Sequence, residues 1–219
     1  MTAPDSQAPI RPNRIAERLV EAPLVRATPE TLKGYGNLVD EFDAQKIEIV
    51  RWPAQGWRHV DPDTGDEGGT TEGMFEFGWR GDVLYGRNHA VNDRYLLGWN
   101  RLPSETSEDS VNADRSQVLI WHANYHPDGG QCFFPRDRQP FVSPLALPGD
   151  DVRPENFVAF WFDGTQGLYI HPGVWHEAVF PAGERAHFDD RQGRVHARVS
   201  VNFVEEFGCY LSVPLTEPA

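Results

Sequence analysis

The sequence predicts an all-β protein, an antiparallel barrel or sandwich with one or two short helices, and three observations carry that prediction. Apolar and polar residues alternate with period two in several short runs. The strictest sets Val195, Ala197, Val199, Val201 and Phe203 against His196, Arg198, Ser200 and Asn202. Turn formers break the runs often, with 20 glycines and 18 prolines in 219 residues. Aromatic residues reach 12%, a composition that favours short strands over long helices. A chain of this length fits one domain with one substantial core.

Taken in order, residues 1–23 read as a flexible arm rich in Pro, Ala and charge, with a short helix over Ile15 to Val20, and residues 24–219 as the β domain. Thr28-Pro29-Glu30 has the chemistry of a helix start, with Thr28 as N-cap and Pro29 at the first helical position, and Gly34 and Gly36 stop it within two turns. Ile47 to Val50 reads as a short strand. Trp57 to Gly69 is acidic and turn-rich, a loop or lid. Phe75, Phe77 and Trp79 alternate with smaller or polar residues, Gly81-Asp82 turns the chain, and strands follow at Val83 to Tyr85 and Tyr95 to Trp99. Ser104 to Ser116 is a second loop. Val118 to Tyr125 reads as one strand, with Gln131 to Phe134 as its hairpin partner across Pro127 to Gly130. Phe157 to Phe162 is a continuous apolar run, as in a strand buried on both faces. Gly167 to Val179 then reads as strand, Pro172-Gly173 turn and strand, so that His171 and His176 flank one tight bend. The run from Arg194 to Phe203 is the last clear strand, and its polar face is that of a half-solvated antiparallel strand.

Composition excludes some partners. A formal net charge of −13 argues against nucleic acid and against an anionic membrane surface. No apolar run approaches the roughly 20 residues needed to span a bilayer. The first residues lack a hydrophobic core of the secretory type, and Cys132 and Cys209 form neither a metal knuckle nor a disulfide framework. A cytoplasmic protein with reduced cysteines is the expectation.

The chemistry-bearing residues cluster. His122, Asn124 and His126 share a strand face, and a barrel that brings them and Gln131 against His171 and His176 collects imidazoles and amides. Such a set suits proton transfer near neutral pH, or a divalent metal.

Two motifs carry a resemblance. His171-Pro172-Gly173-Val174-Trp175-His176 resembles the second motif of the cupin barrels (double-stranded β-helices), with His171 where that motif has proline and His176 at the ligand position. Asn124, His126 and Gln131 occupy positions resembling the His, His and Glu of the first cupin motif, and the two amides there, Asn124 and Gln131, disfavour a metal; one that was held would fall to His126, Gln131 and His176. The closer resemblance is to the ureidoglycolate lyase family of cupin-like barrels. Tyr169 through Val174-Trp175-His176 resembles its Tyr-His-x-x-Val-Trp-His motif with one residue added, and Asn124-Tyr125-His126-Pro127 through Gln131-Cys132-Phe133-Phe134-Pro135 resembles its Glu-x-His-Pro-x-x-x-Gln-x-Phe-x-Pro motif. Asn124, Glu177 and Asn202 depart from the family pattern, which has an acidic residue, a histidine and an aspartate there.

That resemblance implies elimination of urea from ureidoglycolate to give glyoxylate, a step of purine (allantoin) catabolism, with no required cofactor. It implies His171 and His176 as base and acid, with His126 sharing either role, Arg101 as the fork for the substrate carboxylate, and Asn124, Gln131 and Tyr169 as donors to the urea end. It also implies a small-molecule carboxylate substrate and a homodimer. The competing readings are a metal-dependent cupin isomerase or dioxygenase, and a non-catalytic barrel that binds small carboxylates.

Overall fold

The computed structural model describes residues 16–50, 56–65, 67–195 and 197–219. In chain order the strands are β1 (Arg18–Glu21), β2 (Leu24–Arg26), β3 (Gly36–Val39), β4 (Glu67–Arg80), β5 (Val83–Asn88), β6 (Asp93–Trp99), β7 (Gln117–Ile120), β8 (His122–Tyr125) and β9 (Gln131–Pro135). They continue with β10 (Phe141–Ala146), β11 (Val158–Phe162), β12 (Gly167–Ile170), β13 (Trp175–His176), β14 (Phe180–Pro181), β15 (Arg185–Val195), β16 (Val199–Asn202) and β17 (Cys209–Pro214). One α-helix, α1 (Phe203–Phe207), stands among the described residues.

A 10-stranded sheet runs β1-β17-β7-β6-β5-β4-β15-β9-β12-β3, and a 7-stranded sheet contains β16-β8-β13-β10-β11-β2, with β14 paired to β10. Among the described residues, neither sheet closes on itself by hydrogen bonds. The all-β, largely antiparallel fold expected from the sequence is present and consistent with a cupin-like architecture, realised as two packed sheets rather than a closed barrel. One core joins them. Phe141 of the smaller sheet meets Phe188 of the larger edge to face at 5.0 Å, and Phe188 meets Phe77 in the same way at 5.5 Å.

The chain passes between the sheets at three places that matter for the site. Val118 to Tyr125 is not one strand: it breaks at Trp121, so β7 belongs to the large sheet and β8 to the small one. Trp121 spends its carbonyl on the Phe203 amide at 2.8 Å instead of continuing the ladder. The expected hairpin between this strand and Gln131 to Phe134 is likewise absent, because β9 pairs with β12 and β15 in the opposite sheet. Pro127 has no amide to donate, and Gly129 bridges to Ile49 as the chain crosses. The third crossing is His171 to Val174. Val174 donates to the His171 carbonyl at 3.2 Å, with Gly173 at φ 80° after proline, the geometry of a type II turn. Because β12 and β13 lie in different sheets, His171 and His176 diverge from that turn instead of converging.

Other expectations are corrected by pairing. The expected helix over Ile15 to Val20 is replaced by β1, which lies parallel to β17; Ile15 itself is outside the described residues. The Thr28 start yields only turns, although its hydroxyl accepts from the Thr31 amide at 3.1 Å as a cap would. Ile47 to Val50 makes one isolated bridge, not a strand. The Trp57 to Gly69 loop is shorter than expected, since β4 starts at Glu67; residues 51–55 and 66 lie outside the described residues. The Arg194 to Phe203 run divides between the end of β15, β16 and the start of α1, and His196 lies outside the described residues. Among the described residues, no helix is long and apolar enough to cross a membrane.

Candidate active site

A cavity of about 400 Å³ opens between the two sheets, within the range of small-molecule sites. The small sheet contributes Asn124 and His126 from the strand end at β8, and His176 from β13. The pairing of His176 with Asn124 sets this wall, because period two places His126 on the same face as Asn124. The two imidazole rings lie 5.0 Å apart. His126 Nδ1 lies 3.0 Å from the Ala197 carbonyl and His176 Nδ1 2.8 Å from the Val174 carbonyl. A carbonyl only accepts, so each Nδ1 carries its proton, and in a neutral ring the lone pair sits on Nε2.

The large sheet supplies the facing wall, with Gln131 from β9, Gln192 from β15, Asn88 from β5 and the rings of Phe75, Phe133 and Tyr95. Behind it lies Asp190, fully buried. Its two oxygens accept from Asn88 Nδ2 and Gln131 Nε2, each at 2.8 Å, and Gln131 Nε2 also donates to Gln192 Oε1 at 2.8 Å. Burial pushes the Asp190 carboxyl up to about 7, although both hydrogen bonds act in the opposite direction. Burial, with Asp93 nearby, also holds the Tyr95 hydroxyl well above its ordinary value, so it stays protonated at neutral pH. Cys132, next to Gln131 in β9, is pushed up to about 12 by burial and by Asp190, which leaves no thiolate for chemistry.

The loop from Gly56 to Gly65 closes one end, with Asp63 and Thr64 on the cavity wall. It is pinned twice. Arg58 forks onto Glu206 at 2.7 and 3.0 Å. Asp61 accepts from Arg198 Nε at 2.8 Å and from the Ser200 hydroxyl at 2.6 Å. Arg198 and Arg194 bring positive charge to the same cavity. His122 sits behind it, with Nδ1 2.8 Å from Glu177 and Nε2 3.2 Å from Ser200 Oγ. A hydroxyl, an imidazole and a carboxylate in that order invite comparison with a nucleophilic triad, but Ser200 gives its proton to Asp61 rather than to His122.

Of the residues expected at the site, the structure brings together Asn124, His126, Gln131 and His176. His171, Tyr169 and Arg101 lie elsewhere. His171 Nε2 meets Asn37 at 3.0 Å on the other side of the turn. The Tyr169 hydroxyl accepts from the Glu48 amide at 2.9 Å, packed so closely over Gly130 that a Cβ there would fall 2.3 Å from it. Arg101, an exposed side chain, lies 3.6 Å from the buried carboxylate of Asp82, which organises the 104–116 loop through Asn100, Ser107 and Ser110. Asn202 caps α1 by accepting from the Val204 and Glu205 amides, so its departure from the family's aspartate is a helix cap rather than a cavity group. Missed in the sequence were Asp190, Gln192, Asn88, Tyr95 and Arg198.

The set expected for a metal, His126, Gln131 and His176, amounts to two imidazoles and an amide across the cleft, a poor donor set for a divalent cation. Among the described residues, no three His, Cys, Asp or Glu side chains form a cation site.

Known proteins are similar to this chain over the same stretch. A family model described as ureidoglycolate lyase matches residues 110–203, the stretch that carries Asn124, His126, Gln131, His176, Asp190, Gln192 and Arg198. A ureidoglycolate lyase of Pseudomonas fluorescens is 39% identical over 130 residues, covering 52% of this chain and 77% of that protein. The chain belongs to the ureidoglycolate lyase family. Ureidoglycolate lyases of Azotobacter vinelandii and Stutzerimonas stutzeri are 44% and 40% identical over 54 and 78 residues. Those matches span 32% and 46% of the two relatives, so the chain aligns with about a third to a half of their length. Asn88, Tyr95 and the loop from Gly56 to Gly65 lie before the stretch that the family model matches.

Proposed function

We propose that this protein is a carbon–nitrogen lyase that cleaves ureidoglycolate to glyoxylate and urea with His126 and His176 as its acid–base pair. The observation that carries this reading is the pair itself: two imidazoles 5.0 Å apart in one cavity, each with Nδ1 bound to a main-chain carbonyl, which puts the basic lone pair on Nε2. One ring, neutral, takes the proton of the carbinol hydroxyl at Nε2. The electrons of that O–H bond form the aldehyde C=O, the C–N bond breaks, and the departing nitrogen takes a proton from Nε2 of the other ring, which enters the cycle protonated. The proton balance closes when one proton passes between the rings. General acid–base help of this kind supplies roughly 10²- to 10⁴-fold.

Arg198 is assigned the substrate carboxylate in place of Arg101, because it lines the cavity and its Nε is already oriented by Asp61. The reading extends to a cytoplasmic homodimer; Cys132 and Cys209 are buried free thiols, as a reducing compartment would leave them.

The two arginines test the assignment. Arg198→Ala is expected to raise KM for ureidoglycolate by roughly 10- to 100-fold, the worth of a hydrogen-bonded charge pair. Arg101→Ala is expected to stay within about twofold of wild type, since a lone surface contact contributes little. Steady-state kinetics with urea detection reads both, and the opposite ranking would return the carboxylate to Arg101 and break the placement of the substrate.

A further inference from the structure

The amide relay behind the cavity has a direction. Its starting point is fixed by the backbone: the Ala90 amide donates to Asn88 Oδ1 at 2.8 Å, which turns Asn88 Nδ2 toward Asp190. Gly73 makes this possible, because a Cβ there would lie 2.6 Å from the Ala90 nitrogen. Asp190 Oδ2 therefore accepts from Asn88, and Oδ1 accepts from Gln131 Nε2. The second N–H of Gln131 goes to Gln192 Oε1, its direct cross-strand partner. With Gln131 Nε2 and Gln192 Oε1 so engaged, the two side chains have one acceptor, Gln131 Oε1, and one donor, Gln192 Nε2, for whatever enters the cavity they both line. Asn124 on the opposite wall adds an amide whose Oδ1 is buried without a hydrogen-bond partner among the described residues, a site that a ligand N–H would satisfy.

We propose that Asp190 is a positioning residue that holds Gln131 and Gln192 as a fixed acceptor–donor pair, and that this pair reads the terminal ureido group of the substrate. This rests on the lyase reading for its substrate class. The ureido carbonyl accepts from Gln192 Nε2, and its NH₂ donates to Gln131 Oε1, the complementary amide-to-amide pairing. A carboxylate in the same place meets the Gln131 oxygen with no proton to give, and a guanidinium meets the Gln192 donor with no acceptor to offer. Specificity then arises from leaving a polar group unpaired against the wrong ligand.

In Asp190→Asn, Asn88 stays locked by Ala90, so the new amide turns its oxygen to Asn88 and its nitrogen to Gln131. Gln131 must answer with Oε1, and Gln192 then turns to give that oxygen an N–H, so the acceptor and the donor that face the cavity exchange places and no longer match a ureido group held in the original orientation. Binding measured by titration calorimetry with two stable probes tests this without turnover: oxalurate, which has a carbonyl where ureidoglycolate has its carbinol, and oxalate, which has no ureido end. Wild type is expected to bind oxalurate at least tenfold more tightly than oxalate. Asp190→Asn is expected to lose that preference by weakening oxalurate at least tenfold while oxalate stays within twofold or tightens. Gln192→Glu, which removes the donor at the cavity itself, is expected to weaken oxalurate to a similar degree and serves if the buried substitution prevents folding. Thermal melting confirms that each variant is folded. An unchanged oxalurate preference in folded Asp190→Asn or Gln192→Glu, or an equal loss of both probes, overturns the proposal, as does a wild type with no preference. Wild type that prefers oxalurate but does not turn over ureidoglycolate keeps the ureido-reading pair and removes the lyase reading; turnover without the preference does the reverse.

Discussion

Alanine at His176 is expected to lower kcat/KM for ureidoglycolate by roughly 10²- to 10⁴-fold, the span attributed to a positioned general acid or base. The argument is geometric. His176 is nearly fully buried, its Nδ1 is held by the Val174 carbonyl two residues back, and its ring faces His126 across paired strands. Water that fills the vacated space lacks both the basicity and the fixed direction of Nε2. His126→Ala is expected to fall in the same range, and the double variant to be little worse than the more damaging single one, because two groups that pass one proton act as a unit. Kinetics on variants whose melting curves match wild type read the effect. A His176→Ala enzyme within about fivefold of wild type would remove that residue from the chemistry.

The second large effect is on stability and belongs to Asp190. Its folded-state carboxyl titrates near 7 against 3.8 for the ordinary group, and burial is the cause. Folding therefore favours the protonated form. The stability this group contributes is fully present below about pH 4 and is lost as the pH rises to about 7. The loss across that window is on the order of 4 kcal/mol, because each tenfold change in proton affinity is worth about 1.4 kcal/mol. Asp82 and Asp163 do not mask it, because both are held below the ordinary carboxylate range, chiefly by hydrogen bonds from Ser110 and Thr165, and so lose their contribution only at lower pH. Asp190→Asn removes the titration. Denaturant unfolding at pH 5 and pH 8 is expected to show the variant gaining on wild type at the higher pH. Parallel curves for the two proteins would mean that the carboxylate is not desolvated as the structure has it.

Local signals in the sequence are reliable where the chain's own chemistry decides the outcome. Proline followed by glycine at 172 and 173 dictates the turn, and period two puts Asn124 and His126 on one face whatever lies opposite. What the sequence does not convey is which strands pair. A continuous apolar run through Trp121 gives no sign that the chain changes sheets there, so the facing of Gln131 and His126 across a cleft reads as a hairpin. β15 escapes notice because RAHFDDRQGRV is rich in charge and does not alternate as a half-buried strand should. Its inward face runs Ala186, Phe188, Asp190, Gln192, all buried, apolar against the core and polar where it passes the cavity. That switch within one parity is the signal that finds both residues. Arg101 misleads for the opposite reason: it follows a hydrophobic strand, but its neighbour Asp82 is a buried carboxylate that draws the charge to the surface loop.

The most direct test of the lyase reading is the product balance of wild-type protein incubated with ureidoglycolate. Equimolar glyoxylate and urea, with no ammonia, is the result expected from elimination by an imidazole pair. Ammonia released in step with glyoxylate would mean hydrolysis of the ureido group instead, and no consumption of ureidoglycolate would mean that the cavity serves another ligand; either contradicts the assignment.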